Sequence, residues 1–169
     1  MSLNKFQFKT LIEDTLKDVG LHSDAATQLL LATAAQESGF GTYIKQLGKG
    51  PALGVFEVEK ATHDDLWKNN LRYKKPLAEK ILDYVPARFD GLPNGVMKEF
   101  APIPDASVMV WNLAYAILMA RVHYLRVKEA IPGEGDIEGM WKYYKKYFNT
   151  PQGAATKEEF MQNYQKYVA

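Results

Sequence analysis

This chain of 169 residues is predicted to be mainly α-helical, with at most a small β-hairpin near residues 53–58. Three observations predict this class. Apolar residues recur at helical spacing in most segments, capping residues mark the helix ends, and strand-like alternation is confined to the stretch VFEVE. The hydrophobic fraction of 47% and the charged fraction of 24% are typical of a globular protein. We therefore expect one domain over residues 1–169.

Two helices are predicted at the start of the chain. The first follows the apolar spacing of FKTLIEDTLKDV and ends at Gly20. Ser23 is a typical N-cap for the second helix, DAATQLLLATAAQES, which we expect to end at Gly39 or Gly41.

The next predicted helices lie on either side of a short connection. Thr62, with Asp65 three residues later, is expected to cap a third helix, HDDLWKNNL. Pro76 suits the first turn of a fourth helix, PLAEKILDY. Residues 86–104 then hold four of the eight prolines. This composition predicts a surface excursion, either a lid or a partner contact.

The C-terminal third is predicted to contain the centre of the fold. Residues 105–130 read as the longest helix, and the segment VMVWNLAYAILMA is apolar nearly all round, which is typical of a buried helix. An aromatic-rich helix, DIEGMWKYYKKYF, follows it. Thr156 and Glu159 form a capping box for the last helix, KEEFMQNYQKYV.

Composition argues against several classes of partner and cofactor. A net charge of +1 gives no long-range attraction to nucleic acid. The weakly polar run 106–120 is too short to span a membrane, and the charged N-terminus does not resemble a signal peptide. There is no cysteine, and His22, His63 and His123 stand far apart without ligand spacing. We therefore predict no metal and no cofactor.

Glu37 is the candidate catalytic residue. Leu30, Thr33, Ala34 and Glu37 follow helical spacing, so the carboxyl lies on or beside the apolar stripe of the second helix. Burial and the negative end of the helix dipole both raise the pKa of a carboxyl there. A carboxylic acid that keeps its proton near neutral pH can protonate a leaving oxygen. The alternative is a solvated, inert glutamate at the edge of a packed helix.

The segment ATAAQESGFGTY, followed by GPALGVFEVEKATH, resembles the paired signature of lytic transglycosylases and goose-type lysozymes. In that group a helix ends in Glu-Ser-x-Gly, and a Gly-Leu-Met-Gln-like segment follows. The resemblance covers roughly residues 28–65, and the C-terminal third is similar to small phage-encoded, virion-associated members. It implies a lysozyme-like α fold in which Glu37 matches the catalytic acid.

The chain departs from that signature at two places. Glu57 stands where the family usually has Gln. It is expected either to orient the substrate or Glu37, or to act as a second carboxylate in hydrolysis. Carboxyl groups lie about 6.5–9.5 Å apart in inverting glycosidases and about 5–5.5 Å apart in retaining ones. The family's Ala-Tyr-Asn motif is matched only loosely by Asn112 and Tyr115, and Tyr115 is carried over as a substrate-binding candidate.

Other substrate-binding candidates come from the neighbouring loop and the aromatic helix. In the resembling enzymes a C-terminal tyrosine hydrogen-bonds the catalytic glutamate and aromatic rings stack on sugars, which implies such roles for Tyr144 and Tyr147. Tyr43 and Gln46, in the loop just after Glu37, are placed to border a groove, and Ser38 is expected to hydrogen-bond Glu37 or the sugar. Each has an ordinary alternative: the aromatic helix as core, Ser38 as a helix-end residue, and the loop side chains as plain surface.

The resemblance implies cleavage of the β-1,4 bond between N-acetylmuramic acid and N-acetylglucosamine. A lytic transglycosylase with Glu37 as acid and base is the first expectation. A hydrolytic muramidase using Glu37 and Glu57 is the second, and a non-catalytic phage structural or glycan-binding protein is the third. The expected partners are peptidoglycan strands and other virion proteins. The expected location is the phage virion or host cytoplasm, with action on the bacterial cell wall.

Overall fold

The computed structural model describes residues 1–91, 103–150 and 152–169. Its α-helices are α1 Lys5–Asp18, α2 Asp24–Ser38, α3 Lys60–Asn69, α4 Lys75–Leu82, α5 Val108–Trp111, α6 Leu113–Leu125, α7 Ile137–Tyr144 and α8 Lys157–Tyr167. Strands β1 Ala52–Leu53 and β2 Val58–Glu59 pair antiparallel, with Leu53 opposite Val58. The predicted mainly α class with a small hairpin is confirmed.

Shorter helical turns connect these elements. They are the 3₁₀ turns Leu47–Lys49, Leu71–Tyr73 and Ala87–Phe89 and the π-helical turn Lys145–Asn149. No helix in the described ranges is long and apolar enough to cross a membrane. The predicted excursion over residues 86–104 falls mostly on residues 92–102, which lie outside the described residues.

Helix α6 forms the centre of the packing. Residues 115–120 are all at most 2% exposed, because this helix contacts α1, α2 and α3 at once. A helix that is apolar all round can bury every face in this way. The sequence prediction of a buried central helix is therefore confirmed for α6.

The predicted single helix over residues 105–130 is wrong, since it is broken at Asn112. Asn112 has an extended backbone with φ −111° and ψ 99°. Its side-chain oxygen accepts a hydrogen bond from the Tyr115 N–H at 2.9 Å, and its amide donates to the Tyr84 carbonyl at 2.7 Å. A side chain that caps the following turn competes with continued helix, so α5 ends and α6 begins there.

The predicted start of the third helix is also wrong. Helix α3 begins at Lys60, directly after β2, and its N-cap Glu59 makes no side-chain capping bond. Thr62 therefore lies inside the first turn. By contrast, Ser23 caps α2 by accepting from the Ala26 N–H at 3.0 Å, and the capping box at Thr156 is present. These two predictions are confirmed.

Helix α8 packs along α2 and supports the end that carries Glu37. Asn163 donates its amide hydrogen to the Gln36 side chain at 3.0 Å. The ring of Tyr167 stacks on Phe40 with 5.7 Å between centroids. The C-terminal helix thus fixes the position of the last turn of α2 and of the chain that follows it.

Candidate functional site

Glu37 lies in the last turn of α2, just before the chain reverses sharply. The three residues Gly39, Phe40 and Gly41 all have positive φ, at 58°, 58° and 75°. This left-handed conformation is natural for glycine and strained for phenylalanine. Phe40 is held in it because its ring is 1% exposed and packs edge-on against Phe8. The sequence GFG therefore ends the helix beside the carboxyl and turns the chain away from it.

Ser38 stabilises this helix end. The residue is fully buried, and its hydroxyl donates to the Ala34 carbonyl at 3.1 Å while accepting from the Gly41 N–H at 2.8 Å. Its hydroxyl hydrogen and one acceptor site are used within the turn. The structure therefore shows Ser38 as a helix-end residue, with its bonds to Ala34 and Gly41 and not to Glu37.

The carboxyl of Glu37 is paired with a buried tyrosine. Tyr144, at the end of α7, donates its hydroxyl hydrogen to Glu37 Oε1 at 2.6 Å. Burial raises the pKa of Glu37 from 4.5 to about 7. The hydrogen bond from Tyr144 opposes this rise because it favours the ionised carboxylate, and repulsion from Glu57 adds to the rise. Near neutral pH the group is therefore poised between its two protonation states.

Glu37 opens into a cleft of about 430 Å³ between α2, the hairpin and the segment after α7. A volume of this size suits a small ligand or a unit of a larger one. We call this space the Glu37 cleft. Its lining residues are Glu37, Gln46, Ala52, Glu57, Val58, Glu59, Thr62, His123, Phe148, Asn149, Thr150 and Gly153.

Glu57 lies in the hairpin turn, in the wall of the same cleft. Its N–H donates to the Gly54 carbonyl at 3.0 Å, and its φ of 45° is unusual for a residue other than glycine. Gly54 is required here, because its φ is 75° and a Cβ would meet the Met109 carbonyl oxygen at 2.4 Å. Burial also raises the pKa of Glu57. The hairpin thus holds a second carboxyl toward the cleft at the cost of backbone strain.

The segment after α7 forms another wall and carries a second strained position. The π-helical turn Lys145–Asn149 leads into Thr150, whose φ is 71°. Lys145 fixes this segment by donating to Asn149 Oδ1 at 2.8 Å and to the Gly153 carbonyl at 2.6 Å. Strained backbone and π-helical turns are both frequent at functional sites. Here both features occur in the wall of the Glu37 cleft.

His123 is a cleft residue that the sequence did not assign to the site. Arg126 donates to His123 Nε2 at 2.7 Å, and since a guanidinium can only donate, the ring proton lies on Nδ1. Burial lowers the pKa of His123 to about 3, so the ring stays neutral. Its ring packs against Phe148 with 4.6 Å between centroids. Its place near the end of a mostly apolar helix gave no sequence signal of this role.

Three predicted substrate-binding residues lie elsewhere. Tyr115 is fully buried against His63 and Trp67. The hydroxyl of Tyr147 bonds the Glu129 carboxylate outside the cleft lining, and Tyr43 is exposed and does not line it either. The structure therefore does not bring these three side chains to the Glu37 cleft.

The remaining candidates lie at the cleft or directly behind it. Gln46 and Glu57 line it, and Tyr144 reaches it through its bond to Glu37.

The chain matches no protein-family model, no curated protein and no solved structure. Function is therefore inferred from the chemistry of the cleft.

Proposed function

We propose that this protein is a peptidoglycan glycosidase, acting as a lytic transglycosylase on the bond between N-acetylmuramic acid and N-acetylglucosamine. One observation carries the proposal: a carboxyl with a pKa of about 7, hydrogen-bonded by a buried tyrosine, lies in the wall of an open cleft. The resemblance of the Glu37 and Gly54 segments to the transglycosylase signature supports the choice of substrate.

In the first step Glu37 acts as a general acid. A glycosidic oxygen is a poor leaving group unless it is protonated as the bond to C1 breaks. A glutamate with an ordinary pKa of 4.5 would be almost entirely ionised at pH 7, whereas Glu37 retains its proton in about half of the molecules at a pKa of about 7. Tyr144 fixes the orientation of the carboxyl by donating to one of its oxygens. The leaving sugar departs with the proton of Glu37.

In the second step the carboxylate acts as a base. It removes the proton from the 6-hydroxyl of the muramic acid residue, and O6 bonds to C1 to close a 1,6-anhydro ring. The proton returns to Glu37, so the enzyme is regenerated without water. The carboxylate formed in the first step is stabilised by the hydrogen bond from Tyr144.

Hydrolysis is the second candidate, and the position of Glu57 favours it. Glu57 lines the same cleft, and its charge contributes to the raised pKa of Glu37. As a base it would take a proton from water as that water attacks C1. Products of hydrolysis carry reducing ends and one added water, and anhydro products do not. Mass spectrometry of released fragments separates the two reactions.

The test uses purified sacculi and two substitutions in the same cleft. Glu37→Gln keeps the size of the side chain and its bond to Tyr144 but removes the transferable proton. We expect at least a ~10³-fold loss of fragment release, within the range for removing a general acid. Glu59→Gln is the matched control, because Glu59 also lines the cleft but is exposed. We expect it to release fragments within about threefold of the wild-type rate.

Two outcomes would contradict the proposal. If Glu37→Gln releases fragments as fast as the wild type, Glu37 is not the acid. If the wild type binds glycan strands but releases nothing, the protein is a non-catalytic binder on this scaffold. Action on the bacterial cell wall, from a phage particle or during lysis, is part of the same proposal.

A further inference from the structure

We propose that the protein has a binding site for a divalent transition metal, with Zn²⁺ as the representative ion, formed by Glu13, His22 and Asp24. Glu13 lies in the second half of α1, His22 lies in the turn after it, and Asp24 is the first residue of α2. None of them lines the Glu37 cleft. The proposed site is therefore independent of the proposed glycosidase activity.

The three side chains place their donor atoms close together. One ligand atom from each lies within 4.8 Å of the other two, and His22 Nε2 is 3.8 Å from Asp24 Oδ1. Zinc–nitrogen and zinc–oxygen bonds are about 2.0–2.2 Å, so ligand atoms of a tetrahedral site lie roughly 3.5 Å apart. Small side-chain rotations would bring the three atoms to that separation.

One atom of the cluster and one atom near it lack a hydrogen-bond partner within the described residues. The Nε2 atom of His22 is buried and makes no hydrogen bond, although both carboxylates are near it. Thr27, one turn after Asp24 on α2, is 2% exposed, and its hydroxyl is also without a partner. Buried polar groups are almost always hydrogen-bonded or bound to an ion. A bound metal would satisfy the imidazole directly, and a water on the metal would satisfy the hydroxyl.

A pocket lies against this cluster. It has a volume of about 220 Å³, and Glu13, Asp24 and Thr27 all line it. Three protein ligands leave at least one position of a tetrahedral metal for water or another small ligand. That position would face the pocket and the Thr27 hydroxyl.

The donor set indicates which metal would bind. A neutral imidazole with two carboxylates suits Zn²⁺, Ni²⁺ or Co²⁺, whereas Mg²⁺ and Ca²⁺ prefer oxygen ligands alone. The cations that now pair with Glu13 hold it loosely, since Lys9 and Lys17 are 3.7 and 3.9 Å away and more than half exposed. Such exposed ion pairs contribute little to stability, so a metal ion can displace them.

The sequence-based expectation of no metal site rested on the spacing among the histidines. The single histidine here is joined by a carboxylate from the preceding helix and another from the helix that follows. The packing of α1 against α2 brings Glu13 to the other two ligands, which are neighbours in the sequence.

The experiment is calorimetric titration of the full chain with Zn²⁺ near neutral pH, with thermal unfolding as a second measurement. We expect the wild type to bind one Zn²⁺ per chain with a raised Tm, since a ligand that binds only the folded state stabilises it. His22→Gln and Glu13→Gln are each expected to weaken binding at least ~10-fold, because each removes one of three ligands. Excess Mg²⁺ is expected not to compete.

Two control measurements accompany the titration. Glu57→Gln tests whether the cleft carboxyls bind the metal instead, and we expect it to keep the wild-type affinity. The Tm of His22→Gln without metal shows whether the fold is intact, and His22 is partly exposed, so little change is expected. Absence of Zn²⁺ binding to the wild type would overturn the proposal. So would wild-type affinity in the folded His22→Gln variant, or loss of binding in Glu57→Gln alone.

Discussion

Two tyrosines, Tyr115 in α6 and Tyr144 at the end of α7, are almost equally buried but have different surroundings. They are 0% and 1% exposed, and burial raises the pKa of both. From the sequence both are candidates for substrate binding. The structure places only Tyr144 next to the cleft.

The hydroxyl of Tyr115 belongs to a closed network. The ring of His63 bonds Asp64 through Nδ1 at 2.8 Å. Burial acts to raise the pKa of Asp64, but its bonds to Lys60 and His63 together outweigh burial, so the pKa is lowered. The ionised Asp64 can only accept, so Nδ1 carries the proton and Nε2 accepts from Tyr115 at 2.7 Å. Trp67 in turn donates to the Tyr115 oxygen at 3.0 Å. Both sides of the hydroxyl are satisfied by protein groups.

The hydroxyl of Tyr144 instead faces a carboxyl whose pKa is raised to about 7. That carboxyl also lines an open cleft, so a ligand can reach it. Burial of a tyrosine therefore does not by itself indicate function. What distinguishes the site is that the partner of Tyr144, the Glu37 carboxyl, is accessible from the cleft and has a pKa near neutral pH.

The largest expected difference between the two regions is in stability. Tyr115→Phe leaves the Trp67 donor and the His63 acceptor unpaired in the core, so we expect the free energy of unfolding to fall by about 3 kcal/mol. Tyr144→Phe leaves Glu37 open to the cleft, where water can solvate it, so we expect a fall of about 1 kcal/mol. Denaturant unfolding of both variants measures this. Equal losses would mean that the two hydroxyls have equivalent surroundings.

The next effect is a pH-dependent stability that belongs to the cleft alone. The folded pKa of Glu37 is about 7 and its ordinary value is 4.5, so its contribution to stability is fully present below pH 4.5 and is lost as the pH rises through about 7. Glu37→Gln does not ionise there. We expect its free energy of unfolding to equal that of the wild type at low pH and to exceed it by about 2 kcal/mol at pH 8. This value is lower than the full pKa shift would give, because the carboxyl is partly accessible to solvent.

Unfolding curves of both proteins across this pH range measure the difference. A gap between Glu37→Gln and the wild type that does not change with pH would show that Glu37 titrates like a free glutamate. Asp64→Asn is not expected to reproduce the rising gap, because the pKa of Asp64 is lowered instead of raised.

The smallest expected effects are shifts, in opposite directions, of the pH dependence of kcat/KM in two variants. Tyr144→Phe removes a hydrogen bond that favours the carboxylate, so the pKa of Glu37 should rise. The alkaline limb of the kcat/KM profile should then move to higher pH. Glu57→Gln removes a charge that repels the Glu37 carboxylate, so the pKa of Glu37 should fall and the alkaline limb should move to lower pH. We expect shifts of less than about one unit each. Profiles that move in the same direction would contradict the assigned roles of Tyr144 and Glu57.

Much of the helical framework follows from local signals in the sequence. Ser23, Pro76 and the Thr156 capping box act within their own turns, so the prediction needed no tertiary information. Asn112 shows the limit of that reasoning. It interrupts an apolar helix because its amide reaches the Tyr84 carbonyl, and this partner is set by the packing of distant segments.

The candidate site was predictable only in part for the same reason. The helical spacing around Glu37 and the resemblance of its segment pointed to the carboxyl, and the resemblance pointed to Tyr144. His123 and the turn at Thr150 come to the cleft through tertiary packing, without a local signal. Conversely, Tyr115 and Ser38 have residue types that suit sugar binding, but the structure uses both inside the protein.

The most direct test of Glu37 as the catalytic acid is the titration of its carboxyl in the intact protein. Carbon-13 NMR of the glutamate side-chain carboxyls, with Glu37→Gln to assign the signal, gives its pKa. We expect a midpoint near 7, and the signal should be absent from the variant. A midpoint near 4.5 would contradict the assignment, because the residue could not hold a proton for the leaving sugar at neutral pH.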